Sequence, residues 1–222
     1  MSALVHAISV TETLTGLPVT VIGGLAVVCR LSRPYRATSD LDIVDRRHTD
    51  GPNQLELLVA ASTPAIDRTG AIVPTPLGNV NVDVLQVSDV DFHPLPDDPT
   101  GRLHVLAHAW AAETSTEIIL RAQGAPERAV AMAEPGPLIA MKLQSTFDRG
   151  SAKEGTDLLD IMRLTLDRQA GPIARQQLST ADDRIARDAQ LHVQWCFGKN
   201  AQRSLALINA IPEGARVEFD DL

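Results

Sequence analysis

The feature that most constrains the fold is an alternation of acidic and apolar side chains, Asp40-Leu41-Asp42-Ile43. Successive side chains of a β-strand point to opposite faces, so both carboxylates share one face while Leu41 and Ile43 point into a core. Two carboxylates on one face repel each other unless a cation lies between them. The pattern therefore predicts a half-buried strand with an acidic, cation-binding face.

A glycine pair, Gly23-Gly24, follows the β-branched run Leu17–Ile22 and precedes an apolar segment, Leu25–Leu31, that is typical of a helix. Without side chains, a phosphate can approach the backbone, and the first N–H groups of a helix favour an anion. We therefore expect Gly23 and Gly24 to contact phosphate oxygens, and Ser39 to add a hydroxyl contact.

A third acid, Asp83, stands between Val82 and Val84 in a predicted strand, Val80–Val87, that forms a hairpin with Ala71–Val73. Carboxylate oxygens are ligands that Mg²⁺ prefers, and two ions so held activate a hydroxyl and neutralise a leaving pyrophosphate. If this strand lies beside the first one, Asp40, Asp42 and Asp83 form a site for Mg²⁺, with room for two ions.

The chain changes character after Pro135-Gly136-Pro137. The part before it contains alternating helix and strand patterns, including a strand pair predicted at Arg102–Trp110 and Thr116–Ala122 and a last strand at Ala129–Ala133. The part after it contains helical patterns alone, at 137–149, 156–169, 172–178, 182–196 and 200–210. We therefore predict an α/β (α+β) fold with a mixed sheet in residues 1–135 and a helical region in residues 136–222.

The helical region carries a second polar cluster. Lys142 and Arg149 are two helical turns apart and share a face, where they would meet the oxygens of a triphosphate. Asp157 and Asp160 also share a face, and one of them would orient Lys142 or contact the base of the nucleotide. The alternative interpretation is an ordinary surface helix with Lys–Asp ion pairs.

The net charge of −8 does not attract polyanions in general, so an RNA substrate requires a local basic patch. Such a groove would draw on the following side chains: Arg30, Arg33, Arg36, Arg149, Lys153 and Arg163. Two cysteines far apart in sequence favour a reducing compartment, and no long apolar run is visible. We expect a cytoplasmic protein that does not contact a membrane.

The order Gly-Gly, Asp-x-Asp and a later third acid resembles the DNA polymerase β-like nucleotidyltransferase superfamily over residues 21–85. The later block, Lys142-Leu143-Gln144-Ser145 to Arg149 and then Asp157-Leu158-Leu159-Asp160-Ile161, is similar to AbiEii/MenT-type toxin nucleotidyltransferases and extends the resemblance to residue 164. The resemblance implies a nucleotidyltransferase core in residues 1–135, completed by the helical region. It also implies functional roles for Lys142 and Asp157.

The resemblance further implies a toxin of a toxin–antitoxin system that uses a nucleoside triphosphate, such as ATP or CTP, to extend the 3′ end of tRNA. A cognate antitoxin would then be a partner. Two alternatives stay open: transfer to the hydroxyl of a small molecule or protein, which suits the negative charge better than RNA, and a non-catalytic nucleotide-binding module.

Overall fold

The chain divides into two units, each assembled from non-consecutive segments. The computed structural model describes residues 1–48, 51–64, 69–148, 151–214, 217–218 and 221. The first unit comprises Met1–Val28, Ala37–Pro94 and His108–Glu134. The second comprises Cys29–Arg36, Leu95–Ala107 and Pro135–Leu222.

The strands all belong to the first unit: β1 (Thr20–Val21), β2 (Leu41–Arg47), β3 (Thr63–Pro64), β4 (Gly70–Thr75), β5 (Gly78–Ser88), β6 (Thr116–Leu120) and β7 (Arg128–Met132). Within the described residues they form one mixed sheet in the order β3-β4-β5-β2-β1-β7-β6. The strands β2 and β5 run parallel, as do β1 and β7, and the other neighbours are antiparallel.

The α-helices are α1 (Ser2–Thr15), α2 (Gly23–Arg30), α3 (Gln54–Ala61), α4 (Pro99–Glu113), α5 (Pro135–Asp148), α6 (Ser151–Leu166), α7 (Ala170–Ser179), α8 (Asp183–Val193) and α9 (Ala201–Asn209). A π-helical turn, Gln194–Lys199, follows α8, and 3₁₀ turns lie at Asp89–Phe92 and Pro212–Gly214. Among the described residues, none of these helices has both the length and the apolarity to span a membrane.

In the first unit, α1 packs on β4, β5 and α3. Its buried side chains, Leu4 and Ile8 among them, recur four residues apart, which is the spacing of one helix face. The buried Leu41 and Ile43 of β2 alternate with Asp42 along the strand. The core therefore fixes the orientation of β2 and leaves Asp42 on the other face.

The second unit is built around α5, which packs on α6, α7 and α8. Buried apolar side chains fill its interior: Leu158, Leu159, Met162, Cys196 and Ile208. The Arg102 guanidinium forms two hydrogen bonds with the fully buried Asp188 carboxylate, at 2.7 and 2.8 Å. This ion pair joins the segment Leu95–Ala107 to α8.

The predicted α+β fold, with a mixed sheet flanked by helices and a helical C-terminal part, is confirmed. The strand predicted at Arg102–Trp110 is wrong, because these residues lie in α4. Leu103, Ala107 and Ala111 are fully buried and four residues apart, so the pattern has helical spacing.

The strand predicted at Leu17–Ile22 is shorter in the structure, where only β1 is a strand. The Leu17 N–H donates to Thr15 Oγ1 and the Val19 N–H donates to Glu12 Oε1. These donors are therefore used by side chains at the end of α1, and only the end of the run pairs in the sheet.

Candidate active site

Two of the predicted acids lie side by side in the sheet. Parallel pairing of β2 with β5 places Asp42 opposite Asp83, between the pairs Leu41–Val82 and Ile43–Val84. Neighbouring strands are about 4.8 Å apart, so the two aspartates are adjacent on one face of the sheet. The buried apolar pairs on either side hold this register.

The glycine pair is part of the same site. Gly23 begins α2 with a φ of 62°, and a Cβ atom there would lie 2.0 Å from Asp42 Oδ2. The Gly24 N–H donates to the same oxygen at 3.2 Å. The sequence needs glycine at position 23 because the Asp42 carboxylate occupies the space of a side chain.

Asp40 precedes β2 and is partly exposed, and the exposed Ser39 donates its hydroxyl to Asp40 Oδ1 at 3.2 Å. Sequence reasoning missed Asn81, whose amide nitrogen donates to Asp83 Oδ1 at 2.9 Å. Asn81 lies two residues before Asp83 on β5, so the alternation of the strand was the signal for this contact.

The donor chemistry of Asp40, Asp42 and Asp83 fits Mg²⁺, which takes oxygen ligands. In the described part of the chain, however, no three or more His, Cys, Asp or Glu side chains are arranged to hold a metal ion. The Asp42 carboxylate is turned to Gly24 and the Asp83 carboxylate to Asn81. To bind an ion, each of these two carboxylates would give up its present hydrogen bond, which contributes about 1 kcal/mol to stability. The metal site stays a prediction.

In the second unit, Lys142 lies in a buried ionic network. Its ammonium contacts Asp157 Oδ1, and it lies 2.9 Å from Asp160 Oδ2. The Ser145 hydroxyl donates to the other Asp157 oxygen at 2.7 Å. Lys142, Asp157 and Asp160 are 8%, 2% and 0% exposed, so the ion pairs are interior ones rather than the surface pairs of the alternative interpretation.

Two residues that precede Asp40 complete this network. Arg36 donates to both Asp160 oxygens, at 3.1 and 2.8 Å, and the Tyr35 hydroxyl donates to Asp160 Oδ1. Arg36 is thus engaged with Asp160, and its predicted place in an RNA-binding groove is not supported. Sequence reasoning missed this pairing because 124 residues separate the partners.

The network holds its charges in the ionised form. Burial disfavours the Lys142 ammonium, but the Asp157 and Asp160 carboxylates outweigh it and raise the pKa of Lys142. Burial likewise opposes ionisation of Asp160, but Lys142 and Arg36 outweigh it and lower the pKa of that carboxyl. Burial and the Asp160 carboxylate raise the pKa of Tyr35, which stays a hydrogen-bond donor.

Arg149, the remaining predicted nucleotide-binding residue, lies outside the described residues. The roles predicted for Lys142 and Asp157 in catalysis, and for Gly23, Gly24 and Ser39 in nucleotide binding, stay predictions. The structure adds that Lys142 and Asp157 are direct partners and that Gly24 and Ser39 each donate to a predicted metal-binding aspartate.

No protein-family model matches the chain, and no curated protein matches it. Among solved structures, the chain is similar to an antigenic nucleotidyltransferase-like protein from Paracoccidioides brasiliensis, with 21% identity and a TM-score of 0.50. The match covers 92% of this chain and 93% of that chain. The chain therefore has a nucleotidyltransferase-like fold.

Proposed function

We propose that this chain is a Mg²⁺-dependent nucleotidyltransferase that uses a nucleoside triphosphate. The observation that carries the proposal is the adjacent pair of Asp42 and Asp83 on parallel strands, with Gly23 packed against Asp42. The arrangement occurs in a nucleotidyltransferase-like fold and puts two carboxylates and a helix N-terminus in one place.

The roles follow from the chemistry of each group. Asp40 and Asp42 would hold Mg²⁺, with Asp83 as a third ligand, and the metal would neutralise charge on the triphosphate. Asp83 also accepts the proton of the attacking hydroxyl. A bond forms between that oxygen and the α-phosphorus while the bond to the leaving pyrophosphate breaks. Gly23, Gly24 and Ser39 contact phosphate oxygens.

The acceptor that we propose is the 3′ end of tRNA, and the biological role is that of a toxin restrained by a cognate antitoxin. The block from Lys142 to Asp160, similar to AbiEii/MenT-type toxins, supports this choice. Lys142 and Arg149 then steady the triphosphate, and Asp157 orients Lys142. The contact of Lys142 with Asp157 supports the last role.

The second candidate acceptor is a hydroxyl of a small molecule or protein, and the net charge of −8 favours it over RNA. A non-catalytic nucleotide-binding module is the remaining alternative. It predicts nucleotide binding without any transfer of label.

The test is incubation with each α-³²P-labelled nucleoside triphosphate, Mg²⁺ and total tRNA, followed by analysis of label in RNA, protein and small molecules. Asp42→Asn should abolish transfer. Asp45→Asn is the matched control, because Asp45 lies on the same strand and bonds to the Gln54 N–H instead. Label in tRNA supports the first acceptor, label elsewhere supports the second, and transfer by Asp42→Asn equal to that of the unmodified protein refutes the catalytic assignment.

A further inference from the structure

One cavity in the described part of the chain lies wholly within the second unit. Its volume is about 470 Å³, and its walls come from the chain around Ser32, the end of α6, and Val217 and Asp221. Three arginines line it: Arg33, Arg163 and Arg168. The buried Leu159 and Met162 lie among the other lining residues.

The three guanidinium groups are available to a ligand. All three side chains are exposed, and within the described residues none has a carboxylate at ion-pair distance. Arg163 lies over the Tyr35 ring, 5.3 Å from its centroid, which orients the side chain without neutralising it. Acidic residues outnumber basic ones by 28 to 20 in this chain, so three arginines that share one cavity and have no carboxylate partner among the described residues are unexpected.

Asp167 shapes the cavity without pairing with these arginines. Its carboxylate accepts hydrogen bonds from the Ser32 N–H and hydroxyl, at 2.9 and 2.6 Å, and from the N–H groups of Gln169 and Ala170, at 2.8 and 3.0 Å. Burial opposes its ionisation, but these donors lower the pKa of Asp167 to about 2. The contact with Ser32 ties the neighbouring Arg33 to the junction of α6 and α7.

We propose that this cavity binds phosphate groups. The guanidinium fork matches phosphate oxygens and stays charged at every physiological pH. The volume falls in the range of small-ligand sites, which is about 300–1,000 Å³. The ligand is a polyphosphate or the phosphates of an RNA backbone. The site uses no residue of the Asp40, Asp42 and Asp83 set and needs no metal.

The probe is inorganic pyrophosphate, titrated into the full chain by calorimetry at low ionic strength with EDTA present. Arg33→Ala and Arg168→Ala should each weaken binding about tenfold, as expected for loss of a charge-assisted hydrogen bond. Arg187→Ala, at an exposed arginine of α8 that does not line the cavity, is the matched control and should bind normally.

Asp221, the one acid besides Asp167 among the described residues that line the cavity, gives a test of opposite sign. Asp221 carries a negative charge at its wall, and its carboxylate accepts only the Glu218 N–H in the described residues. Asp221→Asn should therefore tighten pyrophosphate binding. A merely structural role for the arginines does not produce this gain.

A short single-stranded RNA, titrated in the same buffer, separates the two sources of phosphate. Arginine-dependent binding of pyrophosphate supports a free polyphosphate, and arginine-dependent binding of the RNA alone supports an RNA backbone. The proposal is overturned if neither probe binds in the presence of EDTA, or if Arg187→Ala weakens binding as much as Arg33→Ala and Arg168→Ala do. Asp42→Asn should bind both probes normally, so failure of the proposed catalytic function leaves this result unchanged.

Discussion

Substitution of Gly23 by alanine tests whether the glycine pair and Asp42 form one structural site. A left-handed backbone costs an L-residue about 1–2 kcal/mol. The new Cβ would also lie 2.0 Å from Asp42 Oδ2 and 2.6 Å from Asp42 Cβ, so the aspartate has to move. Overpacking of this kind costs about 1–3 kcal/mol, and loss of the hydrogen bond from Gly24 adds about 1 kcal/mol. The free energy of unfolding should fall by roughly 3–6 kcal/mol.

Gly16 provides the control, because its φ is 68° and a Cβ there has no atom within 4 Å. Gly16→Ala carries the left-handed penalty alone, about 1–2 kcal/mol. Urea unfolding of both variants gives the difference that belongs to the contact with Asp42. The proposed nucleotidyl transfer should be lost in Gly23→Ala and kept in Gly16→Ala. Equal destabilisation of the two variants would refute the close approach of Asp42 as the reason for glycine at position 23.

Three further outcomes follow from buried or hydrogen-bonded charges. Lys142→Met should lower the free energy of unfolding by about 3–5 kcal/mol at pH 7, because it removes the cation that the buried Asp157 and Asp160 carboxylates share. Because Lys142 lowers the pKa of Asp160 from its ordinary 3.8, urea titrations should show this loss shrinking as the pH falls below about 4, and a loss that stays constant over that range contradicts the network. Arg102→Met should cost a similar amount, about 3–5 kcal/mol, by stranding Asp188, whereas Arg187→Met should change stability by less than about 0.5 kcal/mol in the same assay. The pKa of Asp167 is about 2 in the folded chain against an ordinary 3.8, so the stability that its carboxylate contributes is present above about pH 4 and is lost as the pH falls towards 2. The difference in thermal unfolding temperature between Asp167→Ala and the unmodified chain should therefore vanish over that range. A difference that stays constant refutes the assignment.

The acidic strand was predictable because alternation and burial agree there. Leu41 and Ile43 had one way to face the core, and that choice placed Asp42 on the opposite face. Which strand lies beside β2 depends on the topology of the whole sheet. No local sequence pattern indicates the parallel pairing with β5 that places Asp83 beside Asp42. The same reasoning misassigned Arg102–Trp110, where both helical and strand patterns fit a short apolar run.

Contacts between distant segments escaped sequence reasoning for a different reason. Residues 32–39 form no helix or strand, and their polar composition is typical of a loop, but Tyr35 and Arg36 within them bind a carboxylate on α6 that is more than a hundred residues away. Loop composition reports the lack of regular structure and does not report a partner. Lys142 illustrates the complementary limit, since its pairing with Asp157 was weighed as a surface contact and is a buried one.

The assembly of the second unit from three stretches of chain decides how this protein can be dissected. A fragment that begins at Pro135 lacks both Arg36 and Arg102. Asp160 and Asp188, each with no exposed surface, would then have lost their guanidinium partners. Asp160 would keep Lys142, but Asp188 would be an interior charge without its Arg102 cation, which is strongly destabilising. Such a truncation should give an unfolded or aggregated product, and a functional dissection of this chain is better made by point substitution than by cutting at the apparent boundary.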